Sequence, residues 1–167
     1  KVVDCTTKSH KVEDERSVKE MFMGEFNHSV DQKGRLMLPS RFREEMDGKC
    51  IVSIGYEHCL NVYTVDEWNK FAESLSRLSP HNADARRVLR KILSGANECD
   101  MDKQGRVVIP QNLREYASLG SDKTDVVVVG ALTKIEIWNV DNWKEYNEGE
   151  DSISLEEAGA NLAEMGV

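Results

Sequence analysis

Seven cationic side chains gather beside two copies of one nonapeptide. The first copy reads DQKGRLMLP, Asp31 to Pro39, and brings Lys33 and Arg35, with Arg41 and Arg43 just beyond it. The second reads DKQGRVVIP, Asp102 to Pro110, and brings Lys103 and Arg106, with Arg114 beyond it. The chemistry open to such a set is recognition of a polyanion. A guanidinium fork makes paired hydrogen bonds to a phosphate or a guanine edge, and an ammonium meets phosphate as a point charge. A second use of the same residues is internal. Arg35 can pair with Asp31, and Arg106 with Asp102, and a fork held by a carboxylate can still face outward. Asp31 and Asp102 also suit tight turns, where a short carboxylate accepts from amides slightly farther along the chain. Gly34 and Gly105 suit the backbone geometry of such turns. Gln32 and Gln104 have the groups to read adenine, but DQKGR and DKQGR place them differently, so the two loops are not equivalent readers.

Little else in the chain has the makings of a reactive site. No nucleophile–base set, glycine-rich phosphate loop or metal spacing is present, so the chain reads as a non-enzyme without metal or cofactor. Cys5, Cys50, Cys59 and Cys99 are irregularly spaced, with no CxxC pair, and the His58-Cys59 step lacks the spacing of a zinc site. They are expected as buried or free thiols in a reducing compartment. His28, His58 and His81 show no common partner.

The net charge of −8 argues against a nucleic-acid partner only if the acidity is spread evenly. It is not. Residues 1–20 balance five cations against five acids, and residues 147–167 hold six acids and no cation, which leaves −2 for residues 21–146. There the basic residues bunch behind each motif, as a phosphate-facing surface requires. ARRVLRK, Ala85 to Lys91, is a second basic run, suited to DNA or to an acidic neighbour. No stretch approaches the ~20 apolar residues of a membrane helix, and no apolar leader follows residue 1. A cytoplasmic protein with no membrane contact is expected.

The elements that position the cations are themselves repeated. Asp31, Gly34, Arg35, Pro39 and Arg43 recur 71 residues later as Asp102, Gly105, Arg106, Pro110 and Arg114. Farther on, Gly55, Leu60, Val62, Tyr63, Asp66, Trp68 and Phe71 recur at a shift of 75 as Gly130, Ile135, Ile137, Trp138, Asp141, Trp143 and Tyr146. Each unit reads as a hairpin-like strand pair around the motif turn, a short helix capped at Ser40 in copy one, two more strands, and an amphipathic helix. Asp66 is the expected cap of that helix in copy one. Four short strands cannot bury both faces alone, so two units packed about a pseudo-two-fold axis are expected to close a small barrel. The fold class is α+β, mainly β. The divisions expected are an extension at 1–20, a first repeat at 21–79, a connecting helix at 80–95 stopped by Gly95, a second repeat at 96–146, and an acidic tail at 147–167 with a marginal helix. Met21 is the expected natural start. Tyr63, Trp68, Trp138 and Trp143 are expected in core or inter-subunit packing.

MFMGEFNHSVDQKGRLMLPSRFREE, SGANECDMDKQGRVVIPQNLREYASL and IEIWNVDNWKEY resemble the bacterial MraZ family, over about residues 21–146. The doubled D-x-x-G-R, each followed by a proline, is the most specific mark. The resemblance implies a swapped-hairpin, AbrB-like barrel made from two repeats in one chain, and ring-shaped homo-oligomers larger than a dimer. It implies a nucleoid-associated regulator of transcription that binds double-stranded DNA at short direct repeats upstream of its own division and cell-wall operon. An antitoxin-like or other AbrB-type regulator, and a structural oligomer without DNA, are the alternatives.

Overall fold

The computed structural model describes residues 21–120, 122–149 and 152–166; the expectations for residues 1–20 lie outside it. The first unit runs β1 (Phe22–Val30), β2 (Arg35–Met37), α1 (Ser40–Arg43), β3 (Lys49–Ile54), β4 (Leu60–Tyr63) and α2 (Val65–Ser76), and α3 (Ala83–Gly95) follows it. The second runs β5 (Asn97–Asp100), β6 (Arg106–Val108), α4 (Gln111–Tyr116), β7 (Thr124–Leu132), β8 (Lys134–Asn139) and α5 (Val140–Glu148), with α6 (Leu155–Glu164) at the end.

All eight strands join one antiparallel sheet in the order β5-β3-β4-β8-β7-β1-β2-β6. A bridge between Met101 and Val107 brings β5 back to β6, so the sheet curls into a nearly closed barrel. The order explains why one unit cannot stand alone. β1 pairs with β7 and β5 pairs with β3, so the first strand of each repeat completes the other repeat. β2 meets β1 only at Val30↔Leu36 and finds its main partner in β6. The expected local hairpin is thus a single register pair, because the turn hands β2 across to the other repeat.

The pseudo-two-fold axis is visible in the register. Leu36 pairs with Val107, its own counterpart at the first shift, and Asn61 pairs with Glu136, its counterpart at the second. Equivalent side chains are buried in one core: Leu38 and Ile109, Phe42 and Leu113, Val62 and Ile137 are all at most 1% exposed. Phe42 stands edge-on to Phe22 and Phe26, with ring centroids 5.3 and 5.1 Å away.

Helix boundaries follow capping chemistry. Thr64, not Asp66, caps α2: its hydroxyl accepts from the Glu67 amide at 3.2 Å, and Asp66 falls in the first turn, where a carboxylate favours the helix dipole. Asn82 caps α3 and Asn139 caps α5 in the same way. Ser40 opens α1, whose cap position is Pro39 without a side-chain bond. The repeated aromatics form matching clusters where α2 and α5 lie on the barrel. Tyr63 stacks on Phe71 beside Trp68, and Trp138 packs against Trp143 and Tyr146. Cys50, Cys59 and Cys99 are buried free thiols, and burial pushes Cys50 and Cys59 up to about 12. Among the described residues no helix is long and apolar enough to cross a membrane.

Candidate nucleic-acid interface

Each motif turn is tied by its own aspartate. Asp31 Oδ1 accepts from the amides of Lys33 and Arg35, both at 2.9 Å, while the Gly34 amide donates to the Asp31 carbonyl at 2.8 Å. Asp102 accepts likewise from the amides of Gln104 and Arg106, at 2.9 and 3.0 Å. The turn needs a left-handed residue, and glycine supplies it: φ is +76° at Gly34 and +80° at Gly105.

The other carboxylate oxygen holds the arginine. Arg35 Nε and Nη2 reach Asp31 Oδ2 at 2.7 and 2.6 Å, and Arg106 Nε and Nη2 reach Asp102 Oδ2 at 2.7 Å each. Turn capping and the Asp–Arg pair are thus both present, in one arrangement made twice. The Arg35 bonds hold the Asp31 carboxyl down to about 2, the guanidinium first and then the amide. Asp102 is lowered too, chiefly by the Arg106 amide and then by its guanidinium. A carboxylate lowered on folding adds stability above its unfolded pKa, about 3.9, and loses it as pH falls through the folded value. The Asp31 turn should keep its charged pair at neutral and mildly acid pH and loosen only between roughly pH 4 and 2, and the Asp102 turn should likewise hold until the pH falls below the ordinary carboxylate range. An NMR titration of the Asp31 carboxyl carbon checks this: a midpoint near 2 is expected, and an ordinary midpoint would show the fork open in solution.

The two turns are brought together by the β2–β6 ribbon. Arg35 lies opposite Val108 and Arg106 opposite Met37. The Gly34 carbonyl accepts from Ile109 at 2.8 Å and the Gly105 carbonyl from Leu38 at 3.2 Å, lengthening the ribbon at both ends. Side chains alternate across a strand. With Leu36 and Val107 fully buried, Arg35, Met37, Arg106 and Val108 share the outward face, where Met37 and Val108 are 43% and 54% exposed. Asp102 also adds to the field that keeps Arg35 charged, in keeping with how near the two turns lie.

Arg43 and Arg114 do a different job, one invisible in the linear sequence. Arg43, from the first repeat, lies against the second repeat's loop and donates from Nη1 to the Gln104 carbonyl at 3.0 Å. Its Nε is buried without a partner. Arg114, from the second repeat, lies against Gly34 and donates from Nε to Ile109 and from Nη1 to Gly120, at 3.2 and 3.3 Å. Arg43 thus braces the other repeat's turn by a hydrogen bond, whereas Arg114 packs against the other repeat's Gly34 while its hydrogen bonds stay within its own repeat. Lys33, Lys103 and Arg41 are exposed, and among the described residues they have no hydrogen bond or ion pair from their side chains. Asn112 stands in the second copy where Arg41 stands in the first.

A β-carbon at Gly105 would collide with Arg43 Cδ and Nη1, whereas one at Gly48, also left-handed with φ +76°, meets nothing within 4 Å. Gly48→Ala should therefore cost only the conformational penalty, about 1–2 kcal/mol. Gly105→Ala should cost more, because Arg43 must also leave the loop. Urea unfolding of both variants measures the difference; equal losses would show that the bracing arginine is not held tightly.

The model of a family described as "MraZ protein, putative antitoxin-like" matches the chain twice, over residues 21–91 and 92–165. A protein of Alkaliphilus metalliredigens is 46% identical over 147 residues, 88% of this chain and all of its own length. One of Clostridium tetani is 44% identical over the same span, and one of Desulforamulus reducens is 46% identical over 145 residues, 87% of this chain and 99% of its own. All three carry the name "Transcriptional regulator MraZ", which names a regulator and not a catalyst. With two motif turns swapped into one barrel and a match running through both repeats, this chain belongs to the MraZ family of transcriptional regulators.

Proposed function

We propose that the outward face of the β2–β6 ribbon binds double-stranded DNA sequence-specifically, at short direct repeats upstream of the protein's own division and cell-wall operon. The protein does so in the cytoplasm, associated with the nucleoid, as a ring-shaped homo-oligomer larger than a dimer. The observation that carries this reading is the pair of arginines, Arg35 and Arg106, oriented by Asp31 and Asp102 on one exposed two-stranded ribbon. A ribbon of that width fits the major groove, where an arginine fork meets the two acceptors of guanine. Arg35 and Arg106 read bases; Lys33, Lys103 and Arg41 meet phosphates; Arg43 and Arg114 serve the interface by holding the loops. Gly34 and Gly105 shape the turns. One ribbon offers few cations, so several protomers on successive repeats supply the strength, with gains of about 10²–10⁴ when geometry allows simultaneous contact.

Footprinting of the purified protein on DNA upstream of its own gene tests the reading, with evenly spaced protected segments as the expected result. In the same assay, Lys33→Ala with Lys103→Ala should weaken all sequences alike and flatten the salt dependence by about one counterion for each lysine removed. Absence of protection, or a salt slope untouched by both substitutions, would refute it.

A further inference from the structure

Two surfaces away from the ribbon are left open by the described residues, and they are complementary. The first is a cleft of about 640 Å³ between α2, α3 and the barrel. Phe71 and Leu75 of α2, Val88 and Ile92 of α3, and Tyr63 of β4 give it an apolar lining. Arg87 and Lys91 line it too and are exposed; among the described residues neither is in an ion pair, and Lys91 rests 5.7 Å from the Tyr116 ring centre. The second surface is α6. Leu155, Ala158, Leu162 and Met165 recur at spacings of three and four, so they share one side of the helix. That side is largely exposed: Leu155 is 85% exposed and Met165 70%, while Ala158, by the first turn, is half-buried. Glu157 and Glu164, seven residues apart, fall on one flank, and the helix carries no cation. A ten-residue helix is marginal in water unless something packs on its apolar side.

We propose that α6 of one copy docks in the α2–α3 cleft of a second copy, its apolar side on the cleft lining and its acidic flank toward Arg87 and Lys91. This is an amphipathic helix laid in an apolar groove with complementary charge at the mouth. In its own chain α6 lies instead with its first turn by α5 and the Glu57–His58 turn, so among the described residues nothing fills the cleft. Each chain then gives one helix and receives one, a head-to-tail arrangement of the kind that closes rings. The inference deepens the oligomer reading above and does not depend on DNA binding.

A charge exchange tests it, using full-length chains without DNA and light scattering for mass. One variant carries Arg87→Glu and Lys91→Glu; the other carries Glu157→Lys and Glu164→Lys. Each alone sets like charges against each other where the helix meets the cleft and should raise the concentration needed for assembly about a hundredfold. Mixed in equal amounts, they restore opposite charges at every junction between unlike chains and should recover assembly beyond either variant alone, which also shows that both fold. The proposal is overturned if either variant alone assembles like the wild type, or if the mixture assembles no better than its components. No gain on mixing is the outcome expected when α6 folds back on its own cleft. It is equally overturned if Arg87→Glu with Lys91→Glu keeps the wild-type mass but loses operator DNA, which would make the cleft mouth a DNA surface. A protein that passes the exchange yet protects no DNA would leave this docking standing and defeat only the operator reading.

Discussion

A chain carrying both Arg35→Ala and Arg106→Ala should keep its barrel and its assembly and lose its hold on operator DNA. The stability half of this expectation comes from the way the turns are built. Asp31 keeps its bonds from the Lys33 and Arg35 amides, and Asp102 keeps those from Gln104 and Arg106, because these donors are backbone. Leu36 and Val107 still fill the core beneath. The binding half exceeds the removal of two hydrogen-bonding forks. Each arginine that meets a guanine is worth about five- to 150-fold in affinity. Its removal also uncovers an aspartate that it had neutralised, so two carboxylates then face the phosphates. Melting temperature, mass and operator affinity measured on the double variant decide the matter. Unchanged affinity in a folded, assembled protein would refute the assignment of Arg35 and Arg106. Loss of fold would show that the forks are structural first.

The largest effect on stability should come from Phe42→Ala. Phe42 is 1% exposed, meets Phe22 and Phe26 edge-on, and anchors α1 directly behind the first motif. Its counterpart in the second repeat is the smaller Leu113, so the aromatic cluster belongs to one half of the barrel. Truncation leaves a cavity that a closed barrel cannot collapse to fill, and a loss of about 3–5 kcal/mol follows. For a domain of this size that lowers the melting temperature by roughly ten degrees. Because assembly raises apparent stability, wild type and variant must be compared at one protein concentration. A loss below about 1 kcal/mol would mean that the site repacks.

The symmetric part of this architecture is legible in the linear sequence because repetition is a pattern of residue order. Two shifts, applied to that order alone, identify the pairs Leu36–Val107 and Asn61–Glu136 that meet in register. Asp31 and Gly34 are equally readable, since their chemistry acts within four residues. The bracing role of Arg43 is not. Arg43 finds its acceptor 61 residues away, across a swap that no local signal announces, so in the sequence it looks like one more surface cation. The β1–β2 hairpin misleads for the same reason: the turn is local, but the partner of β2 is not. Thr64 is hidden by Asp66, two residues on, which is also a good capping residue, and only backbone geometry separates them. The sequence predicts α6 as a marginal helix, and what it covers is not decided by one chain.

The swap within one chain has a consequence for direction. Two identical chains joined about a true two-fold axis must present two identical halves, and such a face looks the same when turned end for end. Here both halves lie in one polypeptide and are free to differ. Lys33 corresponds to Gln104, Gln32 to Lys103, Arg41 to Asn112 and Met37 to Val108. The ribbon keeps the geometry of symmetry at Leu36 and Val107 but not its chemistry. A polymer laid across it therefore meets a surface with a head and a tail, and fits better one way round than the other. That polarity is what a row of sites all pointing the same way demands, and a symmetric dimer of single repeats does not have it.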